Sequence, residues 1–199
     1  MGDLIIILDF ISKLISENYF QSLLIYFFIL IFYFSLSLPG SPILVLSSGF
    51  FFGFYIGFFI NIISISLGSL IFYIFFQKLF KKIFKSTYEK YLLNFSKIIK
   101  NSSYEYLILL RLIFGPPLLV QNICISLLRI SKFKLLFTTF MGFTPLFLLF
   151  SYMGNKFSNI IDLKNFKLNQ IITFDFILII MILILLIILR VIFKKKPSI

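Results

Sequence analysis

Residues 107 to 126 read LILLRLIFGPPLLVQNICIS, a run apolar enough to enter a bilayer yet unsuited to cross it as a plain helix. Arg111 sits within it, and an arginine at membrane depth costs at least ~2.5 kcal/mol. Gly115, Pro116 and Pro117 follow. Two adjacent prolines remove two backbone donors and break the helix. Gln121 and Asn122 add polar side chains just past the break. Non-helical backbone persists at that depth only where protein or a water-filled cavity surrounds it. The pattern predicts a re-entrant hairpin: half a helix in, a Gly-Pro-Pro turn, half a helix out.

Composition sets this stretch in a membrane. The 199 residues are 60% hydrophobic and 13% charged, against about 25% charged in soluble domains. At about 20 apolar residues per span, there is room for four to six membrane segments. The whole chain, 1–199, reads as one membrane domain. The net charge of +12 would suggest nucleic acid in a soluble protein, but beside apolar spans it is the ordinary topology signal. No nucleic-acid partner is expected. Cys124 is the only cysteine and histidine is absent. That excludes an intrachain disulfide, Cys/His metal sites and Ser-His-Asp triads. Asp3 and Asp9 spoil the basic start of a cleavable signal peptide.

The expected architecture is all-α: about four spanning helices, two opposed re-entrant hairpins and interfacial amphipathic helices. Residues 1–18 carry Leu4, Ile7, Leu8, Ile11, Leu14 and Ile15 at helical spacing, suited to a helix lying on the membrane. Tyr19 to Leu38 forms a first span. Residues 38–54 form a first hairpin around the breaks at Pro39, Gly40 and Pro42, and Tyr55 to Phe76 forms the second span. From Pro42 to Phe76 no residue is charged, a run too long for one span. Gly49, Gly53 and Gly57 recur every four residues, as on a helix-packing face. Residues 77–106 hold seven lysines opposite aromatic residues, which predicts an amphipathic helix against anionic lipid. Leu135 to Met153 is a third span, interrupted by Gly142 and Pro145, which are also read as packing positions. Thr173 to Phe193 is a last span facing lipid.

Placing 77–106 in the cytoplasm puts most of the 19 basic residues inside. Lys156, Lys164 and Lys167 then lie outside, and Arg111 within the membrane. The positive-inside rule favours this orientation, with both termini cytoplasmic. The two hairpins then enter from opposite faces, the inverted-repeat plan of secondary transporters.

The residues at these breaks resemble the DedA superfamily, more closely its VTT-domain (SNARE-associated) branch. The first half, LPGSPILVLSSGFFFGFYIG, resembles that family's Pro-Gly re-entrant segment. In the second half Arg111, Pro117, Asn122, Thr139, Gly142 and Pro145 fall at the family's spacing. The resemblance covers roughly 38–155. Phe114 and Ser126 stand where the family often has Pro and Gly. No carboxylate lies between Glu17 and Glu89, so proton-coupling schemes for embedded acids do not transfer. The resemblance implies a small helical protein of a membrane, expected to be the bacterial inner membrane, that moves lipids or lipid-linked phosphates between leaflets.

Four readings follow. In the first, Arg111, Gln121 and Asn122 bind a lipid phosphate, and the protein acts as a scramblase or flippase without chemistry or cofactor. In the second, the hairpins pass a small ion or solute, with Asn61, Ser64 and Asn122 as candidate ligands. The third, an enzyme, is disfavoured because the seven acids are scattered. The fourth is a structural partner docking through the glycine face. A homodimer fits the first or the last.

Overall fold

The computed structural model describes residues 2–83, 104–112, 117–128 and 130–159. The expected last span at 173–193 and most of the lysine-rich stretch lie outside them, as do Gly115 and Pro116. The described residues are almost all helical, with no strand among them. In order they are α1 (Gly2–Glu17), α2 (Tyr19–Ser35), α3 (Ser41–Phe52), α4 (Phe54–Ile83), α5 (Tyr104–Leu112), α6 (Leu118–Leu127) and α7 (Lys132–Asn159).

Each break has a local cause. Part of α1 (Phe10–Glu17) is bent by 112° from α2 at Asn18. Between α2 and α3 the chain reverses through Ser37 at φ 54° and Gly40 at φ 97°. Gly40 caps α3, and Pro42 sits in its first turn, where its missing N–H would have no helical acceptor. Gly53 alone joins α3 to α4, at φ 81°, a conformation that costs a Cβ-bearing residue strain.

Three helices therefore fold back on one another. The Tyr26 hydroxyl donates to the Leu44 carbonyl at 2.6 Å, and the Tyr19 ring packs on Phe52 at 5.9 Å, so α2 and α3 run antiparallel. The α4 chain then reverses again. A Cβ at Gly57 would lie 2.8 Å from the Gly49 backbone nitrogen. Asn61 Nδ2 donates to Ser48 Oγ and, at 3.1 Å, to the Val45 carbonyl. The α2–α3 turn sits beside the middle of α4, where a Cβ at Gly68 would lie 2.6 Å from Phe34 Cβ.

The second half repeats the plan with shorter arms. In α5, Tyr104 packs edge-on against Phe137 of α7, while Arg111 lies over Gly142; the two helices are parallel. After the turn, α6 runs back, and Gln77 of α4 donates to the Ser126 carbonyl near its end. The open ends of the two hairpins thus lie at opposite ends of the bundle. The α2–α3 hairpin opens toward the start of α4, the α5–α6 hairpin toward its end. Their closed ends meet between α4 and α7.

The long helix α7 crosses α3 closely. A Cβ at Gly49 would collide with the Ser151 backbone, and one at Gly154 with the Leu46 backbone. Leu30, Phe34, Val45, Ile62, Ile65 and Phe147 fill the core there. A second cluster of Tyr73, Leu107, Ile125 and Leu135 closes the other end.

Two helical stretches, Phe54–Leu79 and Lys132–Ser158, are long and apolar enough to cross a membrane, and a third if the bent α1–α2 pair counts as one span. Several expectations change. The helix α2 stops at Ser35 rather than Leu38. Residues 41–52 are a single helix with a break at each end, not a hairpin in themselves. The glycines at 49, 53 and 57 share no helical face, because Gly53 is the turn that brings Gly49 against Gly57. Residues 77–83 continue α4 instead of starting an amphipathic helix. Helix α7 runs unbroken through Pro145.

Candidate functional site

Where the two hairpin turns meet there is a cavity of about 280 Å³. Pro39, Gly40, Ser41 and Pro42 line it from the first turn, Pro117 and Leu118 from the second, and Phe143 and Phe147 from α7. Arg111 and Gln121 supply its polar side chains of greatest reach.

Arg111 is 1% exposed. Gly142 is what admits it: a Cβ there would overlap the Arg111 Cβ. Its guanidinium lies over the Phe143 ring at 5.4 Å. Such a contact is worth about 2 kcal/mol or somewhat more when desolvated, whereas a buried unpaired charge costs several. None of the three guanidinium nitrogens has a hydrogen-bond partner among the described residues.

Two helix starts face the same space. Neither α3 nor α6 carries a side-chain cap. Gln121 N closes the first helical bond of α6, to the Pro117 carbonyl, so the N–H groups of Leu118, Leu119 and Val120 have no intrahelical acceptor. The ends of both helices carry partial positive charge, which adds to that of Arg111.

Asn122 is buried but does not line the cavity. Its Nδ2 donates to Ser37 Oγ at 2.7 Å, tying the second hairpin to the strained residue of the first. Ser37, at 4% exposure and positive φ, is a site residue that the sequence reading missed. A serine between two leucines before Pro-Gly carries no signal for φ. Tyr33 was missed too; its hydroxyl donates to the Pro39 carbonyl and steadies the turn.

A separate polar cluster joins α3, α4 and α7 around Asn61, whose Nδ2 also donates to Ser151 Oγ at 3.1 Å. No group of three or more His, Cys, Asp or Glu that could hold a metal occurs among the described residues.

Apolar helices of membrane-crossing length, enclosing a buried arginine between two broken segments, define an integral membrane protein. The family model for the VTT domain matches residues 38–156, more than half of the chain. The chain belongs to that family, the DedA/SNARE-associated group. No curated protein and no solved structure matches it.

Proposed function

We propose that this protein carries the phosphate headgroup of a lipid across the bilayer between two opposed re-entrant hairpins, without chemistry on the lipid. The observation that carries the reading is Arg111: buried, without a protein acceptor among the described residues, and in a cavity between two uncapped helix starts. Bidentate guanidinium geometry suits a phosphate, and helix N-termini favour anions.

Helix lengths support the hairpins. At 1.5 Å per residue, α5 and α6 reach only about 15 Å, half of a hydrocarbon core of about 30 Å. Helix α2 reaches about 25 Å and α3 about 18 Å. The first turn lies beside Gly68, near the middle of Phe54–Leu79, and Arg111 lies against Gly142, near the middle of Lys132–Ser158. Both turns thus fall near mid-depth if α4 and α7 span. Next to the first turn an apolar hollow of about 870 Å³ runs between α2 and α4, lined by Phe28, Ile31, Phe32, Ile71, Phe75 and Leu79 among others. It would hold acyl tails while the headgroup crosses.

With the lysine-rich end of α4 in the cytoplasm, the α5–α6 hairpin enters from inside and the α2–α3 hairpin from outside. A full first span would leave the N-terminus cytoplasmic. An α2 that turns back at mid-depth favours the other face for α1, whose single basic residue, Lys13, sets little against that under the positive-inside rule. A bacterial inner membrane suits this sidedness.

Purified protein in liposomes, assayed for transfer of fluorescent lipid between leaflets, tests the reading. Protein-dependent transfer that slows with Arg111→Ala is expected. No transfer by the wild type removes the function, and equal rates remove Arg111 from it.

A further inference from the structure

Of the residues that line the cavity, Arg111 alone is charged. Residues 113–116, between α5 and α6 in the sequence, are Ile, Phe, Gly and Pro, also uncharged. The chain has no carboxylate from 18 to 88, and Glu105 stands at the opposite end of α5 from Arg111. Two helix starts add partial positive charge. Among the described residues the only charge at the site is thus positive, and its remaining walls are Leu, Pro, Phe and Gly40, with Ser41 and Gln121 as uncharged polar side chains.

A phosphate anion and a zwitterion fare differently in such a place. The phosphate of either can meet the guanidinium. In the zwitterion an ammonium accompanies it, held within a few Å by a two-carbon linker. Among the described residues that ammonium meets no carboxylate, and it is repelled by Arg111 and both helix ends. Like charges about 6 Å apart repel appreciably even at an effective dielectric constant of about 20. The phenyl faces of Phe147 and Phe150 offset only part of this. A polyol or hydroxyl substituent carries no such penalty. The cavity of about 280 Å³ has the volume of about nine waters at ~30 Å³ each, enough for a phosphate, a short polyol and some water.

We infer that the Arg111 cavity selects phosphate esters of net negative charge and discriminates against headgroups bearing an amine. This rests on the transport reading above but goes further, because a scramblase need not choose. The same chemistry could reach the cavity on a lipid or as a soluble phosphate ester, and the two sources are separable by experiment.

The test is transfer of acyl-labelled phosphatidylglycerol, phosphatidic acid, phosphatidylcholine and phosphatidylethanolamine, each as a trace lipid in identical proteoliposomes of phosphatidylcholine and phosphatidylglycerol. A parallel set holds entrapped radiolabelled dimethyl phosphate. The two amine-free lipids are expected to cross at least about tenfold faster than the two amine lipids, the factor that corresponds to 1.4 kcal/mol. In Arg111→Gln the ratio should fall toward one, whereas Arg111→Lys should keep it. An arginine with a purely structural role would slow all four lipids by one factor and leave the ratio unchanged. That outcome overturns the inference, as does a wild-type ratio near one, while transport itself stands. If no lipid crosses, the transport reading fails. Protein-dependent release of dimethyl phosphate would then support the same anion selectivity for a soluble ligand, and no release would overturn that as well.

Discussion

Replacing Arg111 by methionine should make the protein more stable and inactive. Arg111 is 1% exposed and its guanidinium has no acceptor among the described residues, so among them it stands as a buried charge without a partner. Such a charge costs several kcal/mol. Its contact with Phe143 at 5.4 Å returns only part of that, about 2 kcal/mol or somewhat more. An apolar side chain of similar volume and flexibility fills the space over Gly142 without that cost, and replacements of buried ions by apolar groups have stabilised proteins by about 1–4 kcal/mol. Taking ~2 kcal/mol, and about 2–4 °C per kcal/mol for a chain of this size, Arg111→Met should melt roughly 4–8 °C higher in detergent. Added phosphatidylglycerol should raise the melting temperature of the wild type, by mass action on an occupied site, and leave the variant where it is. A variant that melts several degrees below the wild type would refute the reasoning. Arg111 would then be held by acceptors within the protein, and the cavity would not be waiting for an anion.

Other perturbations test the frame that holds the site. Gly154→Ala puts a methyl group into the Leu46 backbone; overpacking should cost about 1–3 kcal/mol despite a helix-propensity gain of up to ~1 kcal/mol, and an unchanged melting temperature would deny the close crossing of α3 and α7. Ser37→Ala leaves the buried Asn122 amide without its acceptor and should lower stability by about 1–3 kcal/mol. Ser37→Gly loses the same bond but relieves the positive φ, so it should melt above Ser37→Ala, by about 1 kcal/mol's worth; the reverse order would contradict the strained turn. Asn61→Leu removes the amide that reaches Val45, Ser48 and Ser151. It should destabilise by about 1–3 kcal/mol while leaving the headgroup preference intact, and a changed preference would extend the site into that cluster.

The sequence announced its breaks more clearly than its arrangement. Proline and glycine act on the backbone locally, so Pro39, Gly40 and Pro117 marked turns without any knowledge of packing. Arg111 stood out because burying a guanidinium is costly wherever it occurs. Long-range geometry was hidden for a physical reason: in lipid nearly every face of a helix is apolar, so periodicity says little about which face meets which neighbour. Gly49, Gly53 and Gly57 fit one helical face by spacing, yet Gly53 adopts a turn and the other two glycines meet across it. The apolar run before Leu38 looked long enough to span, and only the contact of Phe34 with Gly68 places its end beside the middle of α4. Pro145 looked like an interruption, but α7 continues through it. The bond from Asn122 to Ser37 joins residues 85 positions apart and had no signature in either segment.

The central claim is that the two turns meet deep in the membrane around a polar pocket. Spin labels on cysteines at Ser41 and Leu118, introduced one at a time in a Cys124→Ser protein and reconstituted in bilayers, measure both depth and contact with a water-soluble relaxation agent. The account predicts both labels near the bilayer centre, about 15 Å from either boundary of the hydrocarbon core, and both relaxed by the aqueous agent. Either label at headgroup level, or both at the centre but dry, would contradict it.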